Sequence, residues 1–259
     1  MSSLQKRSWV EQVMGLPISV LARGPVASTT AADIAVQAVY RELREVDGTF
    51  STYRPDSEVS RLARGELGWE EASSVVREVA DRCRRARELT GGLFDAETPA
   101  GGWDPSGLVK GWAAERASRL LAEVDGADWC LNAGGDVVVI CPSGEPFTVG
   151  IQDPADSGAV VATVRSSGNA VATSGTAARG AHLYDPRSGG AVVGSWASVS
   201  VTGPSLEWAD VLATAAFVAD DEWPRVVSLL PGYAGLGVHV DGTVRAMPTW
   251  PSVTPRDAG

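Results

Sequence analysis

The chain has 259 residues, 44% of them hydrophobic, a formal net charge of −10, two histidines and three cysteines. That length can bury a core without disulfides, and the acidic balance offers no basic field to a nucleic-acid backbone or an anionic membrane. Cys83, Cys130 and Cys141 have no CxxC spacing, so they suggest neither a zinc ribbon nor a disulfide framework and read as reduced thiols, mostly buried.

The opening MSSLQKRSWVEQVMG is too polar and too short for a signal segment, and no long apolar run follows. The expectation is a cytoplasmic protein without membrane insertion. VMGLPISVLA, from Val13, predicts an opening strand or an entry loop leading into one. From Ser28 to Phe50, Ala31, Ile34, Ala35, Ala38, Val39, Leu43 and Val46 recur at helical spacing, with Ser28, Thr29 or Thr30 as N-cap. The Ser/Asp-rich stretch from Phe50, broken at Pro55, predicts an ordered loop and a short helical turn. Helical spacing returns through Val75, Val79, Cys83, Ala86 and Leu89 and stops at Gly91 and Gly92. The arginines of that helix read as a solvated face.

A glycine-rich loop then feeds a helix from about Leu108, with Trp112, Ala113, Leu120, Leu121 and Val124 on its apolar side. DWCLNAGGDVVVI, PFTVGIQDP, GAVVATVRSS, NAVATSG and GSWASVSVTG predict a β-rich second half. EWADVLATAAFVADDEWPRVVSLLPG predicts two helices broken near Pro224, and AGLGVHVDGTVRAMP a closing hairpin around Asp241 and Gly242. The mixture lacks regular βαβ alternation, so the expected class is α+β or mixed α/β, and with no linker it is expected to form one compact unit over 1–259.

GxSxG, GxxxxGK[ST], HExxH and a strand-following GxGxxG are all absent. His239 alternates with valines and reads as a structural histidine. His182 lies in a glycine-bounded irregular segment, where it can serve as a base toward a hydroxyl, with Asp185 to orient it; Asp185 before Pro186 is equally a natural turn initiator. Asp210 and Thr214, at i and i+4, can share a helix face and suit a hard cation, or can simply lie on a helix surface. DPSGLVKG places a tight turn before a helix start containing Lys110, which suits a phosphate, or a capped helix with an exposed lysine.

In order along the chain, VMG at Met14, STYRPDSEVSRL, GGLFD, DPSGLVKGWAAE, NAGGDV, TSG, HLYDPRSGG and ADVLATA resemble the motifs of the ApbE family of flavin transferases. The resemblance implies a fold with helices packed on mixed or antiparallel sheets and magnesium-dependent transfer of FMN from FAD to a Thr or Ser hydroxyl of an acceptor protein, releasing AMP. It also implies that Tyr53 flanks the flavin, that Met14, Leu93, Phe94 and Asp95 line the pocket, and that Asp104 and Lys110 contact the nucleotide. Ala197 would be a nearby backbone contact. Gly107 through its carbonyl, Asp210 and Thr214 would hold Mg2+, and His182 with Asp185 would take the acceptor hydroxyl's proton. Water in place of the hydroxyl would make the chain an FAD pyrophosphatase, and loss of transfer would leave an FAD-binding protein. Three departures from the motifs stand out: Ala63 where the family has Asn, Glu97 where it has Thr, and a stretch between Asp95 and Asp104 shorter than the family's.

Overall fold

The computed structural model describes residues 5–99, 101–176 and 184–251. Strands β1 (Lys6–Val13) and β2 (Leu16–Arg23) form a hairpin, followed by helices α1 (Thr30–Phe50), α2 (Glu58–Ala63), α3 (Ser74–Thr90) and α4 (Ser106–Ala122). Strands β3 (Asp128–Ala133), β4 (Asp136–Ile140), β5 (Phe147–Asp153), β6 (Asp156–Ser166), β7 (Ala170–Gly175) and β8 (Trp196–Gly203) follow. Helices α5 (Leu206–Val218) and α6 (Trp223–Val227) and strands β9 (Ala234–His239) and β10 (Val244–Ala246) complete the chain. Eight strands form one sheet in the order β1-β2-β3-β4-β7-β8-β9-β10, while β5 and β6 pair with each other. The described ladders are all antiparallel, as expected for the α+β reading.

Period-two burial explains the layering. Ala170 and Ala172 of β7 join the cluster under the helices, whereas Val171 between them joins Val137, Val139 and the β5–β6 hairpin on the opposite face. Helices therefore cover one face of the large sheet and the hairpin covers the other. On β9, Leu236 and Val238 face the hairpin side, and the intervening Gly235 and Gly237 leave room for Trp223 and Trp196, whose rings would lie 2.7 and 2.6 Å from any added Cβ.

Several helix starts carry side-chain caps, and Thr29 is one of the three candidates named for α1. Thr29, Ser57, Ser73 and Ser205 cap α1, α2, α3 and α5 through their side chains, and Gly91 ends α3 in the left-handed conformation at φ 62°. Pro224 stands in the first turn of α6 rather than breaking a helix; the break lies at Asp220, with φ 51°. One strand was not expected: β1 is polar yet alternates, its inner residues half-buried, and it turns into β2 at Met14 and Gly15 with φ 57° and 70°. His239 is satisfied by Asp241, 2.8 Å away. Cys83 is buried, and Cys130 and Cys141 are half-buried and free. Among the described residues, no helix is long and apolar enough to cross a membrane.

Candidate functional site

The first turn of α4 is built by Asp104, whose carboxylate accepts from the Ser106 backbone N–H at 2.9 Å and from the Ser106 hydroxyl. The turn opens into a cavity at the positive end of the helix. Leu93, Phe94, Asp95, Asp104, Gly107, Lys110, Asp210 and Thr214, all singled out in the sequence, line this one cavity. Gly107 sits where a Cβ would approach the Phe94 ring to 3.2 Å, so the GLFD loop packs directly on the helix start.

Lys110 projects from α4 between two carboxylates from distant elements. Its Nζ lies 2.6 Å from Asp136 Oδ2 and 3.6 Å from Asp210 Oδ1. Asp136 and Asp210 are only 1% and 2% exposed, and Asp136 Oδ2 has no hydrogen-bond donor among the described residues beyond that ion pair. Burial pushes the Asp210 carboxyl well above the usual carboxylate range; the Asp136 charge adds to this, while Lys110 and the Gly111 N–H oppose it. Among the described residues, two buried carboxylates thus share the Lys110 ammonium.

Helix contact brings these groups together. At Gly111, an added Cβ would meet Asp210 Cβ and the Leu206 carbonyl at 2.9 Å each, and the Gly111 N–H donates to Asp210 Oδ2 at 3.2 Å. Only glycine permits this approach of α4 to α5. Gly111→Ala should destabilise the fold by about 1–3 kcal/mol through overpacking; an unchanged urea midpoint would show that the helices separate freely.

Thr214, one turn beyond Asp210, shares a hydrogen bond with the Ser174 hydroxyl at 3.1 Å, and the Thr173 N–H donates to Asp136 Oδ1 at 3.2 Å. Gly175 is obliged to be glycine, since a Cβ there would lie 2.5 Å from the Ala197 carbonyl. These contacts give the TSG and NAGGDV stretches their place: both hold the carboxylate pair. Asp136, Thr173, Ser174 and Gly175 were quoted within those motifs, but their contacts across the sheet could not be read from spacing. Tyr184, also in the wall, was quoted within HLYDPRSGG but not singled out.

The donors around Asp210 and Thr214 are all oxygens, with Gly107 in the same wall, and among the described residues no three His, Cys, Asp or Glu side chains gather as a metal cluster. One carboxylate with hydroxyl and carbonyl oxygens fits a hard cation that keeps part of its water shell.

Other expected residues are not among the described residues that line the cavity. Tyr53 is 96% exposed in the bend between α1 and α2, a bend held by the Ser57 hydroxyl donating to the Ser51 carbonyl at 2.6 Å. Met14 occupies the β1–β2 turn and packs on the core, and two residues on, the Leu16 side chain meets Gly134 of the cavity wall. Ala197 contributes its carbonyl to the Thr176 N–H at 3.1 Å. The Asp185 carboxylate is engaged by Arg187, accepting from its backbone N–H at 2.9 Å and pairing with its guanidinium at 2.8 Å, which holds it below the usual range. His182 lies outside the described residues.

Comparison with known proteins adds a family. The ApbE family model matches residues 14–101 and 97–236. A curated FAD:protein FMN transferase of Rhodobacter capsulatus is 34% identical over 170 residues, covering 62% of this chain and 32% of that protein. One of Haemophilus influenzae is 26% identical over 131 residues, covering 46% and 38%. The chain spans about a third of the length of these curated relatives. The crystal structure of the ApbE protein of Thermotoga maritima superposes with a TM-score of 0.83 at 21% identity, over 95% of this chain and 98% of that one. The flavin transferase ApbE of Vibrio cholerae gives 0.76 at 19% identity, over 94% and 97%.

Proposed function

Because the chain belongs to the ApbE family, we propose that it transfers FMN from FAD to a Thr or Ser hydroxyl of an acceptor protein, with AMP as leaving group. The observation that carries this reading is the meeting of Lys110, Asp136 and Asp210 at the start of α4, a place suited to a pyrophosphate accompanied by a cation. Its curated relatives carry the name FAD:protein FMN transferase.

In this reading the acceptor oxygen bonds to the FMN-side phosphorus, the bond from that phosphorus to the AMP oxygen breaks, and the hydroxyl proton passes to His182. Asp210, Thr214 and the Gly107 carbonyl would hold Mg2+, which would supply Lewis-acid neutralisation of the pyrophosphate charge. Lys110 places a second positive charge beside the same phosphates, and the α4 amides orient them. Leu93 and Phe94 give the flavin an apolar wall, and the exposed Tyr53 ring is free to serve as its platform. The free thiols accord with a cytoplasmic setting.

The direct test is incubation with FAD, Mg2+ and a candidate acceptor, read by intact mass and in-gel flavin fluorescence. AMP release without an acceptor adduct would favour an FAD pyrophosphatase instead. Tyr53→Ala should weaken FAD binding roughly 5- to 100-fold, the usual worth of an aromatic platform; an unchanged dissociation constant in a titration would remove Tyr53 from the site.

A further inference from the structure

The stretch between Asp95 and Asp104 is short, and its described residues, 95–99 and 101–104, are tied down rather than loose. Glu97 and Trp103 pair across it, the Thr98 N–H donates to the Gly102 carbonyl and the Asp104 N–H to the Ala96 carbonyl, each at 2.8 Å. On its outer side Trp103 meets Trp69 edge to face, with ring centroids 5.1 Å apart, and Arg87 pairs with Asp95 at 3.0 Å. Both outer partners, Trp69 and Arg87, are half exposed, so the ion pair adds little in water.

The inner side is different. The Tyr184 hydroxyl reaches across the cavity wall to two carbonyls of this hairpin, donating to Asp95 O at 3.2 Å and Glu97 O at 3.3 Å. Tyr184 stands on a turn that is itself closed, since it bridges to Ala191 and the Asp185 N–H donates to the Gly190 carbonyl at 2.8 Å. Gly189 of that turn packs on Pro99 of the hairpin. One phenol therefore joins the two rims of the cavity.

We propose that Tyr184 is a positioning residue that holds the hairpin at 95–104 as a fixed wall, so that FAD enters a preformed slot instead of being enclosed by a closing loop. A wall held in place lowers the ordering cost of binding, so the hydroxyl acts on substrate affinity and leaves the chemical step to His182, Lys110 and Asp210. The inference rests on the reading that the cavity takes FAD.

The test is Tyr184→Phe, which keeps the ring and removes the donor, compared with Trp69→Ala, which undoes the outer fastening without touching the cavity. In the ligand-free protein, hydrogen exchange at the Thr98, Gly101 and Asp104 amides should rise in Tyr184→Phe. Its KM for FAD should rise about tenfold, the usual order for one hydrogen bond, with the fall in kcat/KM carried by KM. Trp69→Ala should raise the same exchange. A fall in kcat at unchanged KM would place the hydroxyl in the chemistry and overturn the proposal. The exchange readout needs no ligand, so a failed clamp is told apart from a cavity that does not take FAD: the first leaves exchange unchanged, the second raises exchange while wild type shows no saturation by FAD. Either result overturns it.

Discussion

Asp210→Asn is expected to slow AMP release from FAD by about 10^3-fold at limiting Mg2+, the scale of losing several kcal/mol of charge stabilisation at the phosphates. The amide keeps the shape that α4 and α5 pack around, and its oxygen can still accept from the Gly111 N–H. It loses the charge that a cation requires. Stability should move the other way: wild type buries Asp210 and Asp136 around a single ammonium, and removing one of two like charges in a desolvated place relieves repulsion. A variant with an equal or higher melting temperature, much lower activity and partial recovery at high Mg2+ would carry the expected signature. Full activity at limiting Mg2+ would show that the cation is held elsewhere.

His182→Gln should lower transfer by roughly 10^2- to 10^4-fold, the usual worth of a general base, while FAD affinity stays nearly intact. Binding is assigned to α4, the GLFD loop and the cation site, none of which contains an imidazole. The measurement is adduct formation against FAD titration in the same preparation. Loss of affinity in step with activity would make His182 a pocket residue, and full transfer by the variant would leave the cation and Lys110 to do the chemistry.

Much of the architecture was legible because it rests on local signals. Helix α3 announces itself by the spacing of Val79, Cys83 and Ala86 and by a glycine stop, which is left-handed at Gly91, and the turn at Asp241 and Gly242 by its residue types. Strand β1 escaped because its inner face holds Arg7 and Trp9 bound to Asp33 of α1, so its alternation is not one of apolar against polar. The cavity-lining residues of α4, α5 and the GLFD loop were named by their motifs. Their partnerships were not, since Lys110 meets Asp136 and Asp210 only once helices and sheet are packed, and Gly111 reveals its purpose only where two backbones approach. Tyr53 shows the reverse limit: a motif gives a position in the chain, while the direction of a side chain on an exposed bend is set by whatever touches it.

The ladder between β2 and β3 has a kinetic consequence. It pairs Ile18 with Ala133 and Arg23 with Asp128, the last pair sealed by a buried guanidinium–carboxylate contact between residues 105 apart. Four helices are threaded through that closure, whereas β1–β2 and β3–β4 close across tight turns. Long-range pairing carries a loop-closure entropy that local hairpins escape. During synthesis the chain up to α4 emerges with only the β1–β2 hairpin to pack against, and it must wait for β3 and β4 before it can settle. Lys110 precedes β3 and β4 in the chain, Asp136 belongs to β4 and Asp210 follows both; the three meet only once helices and sheet are packed, so activity should appear in refolding later than helical circular dichroism.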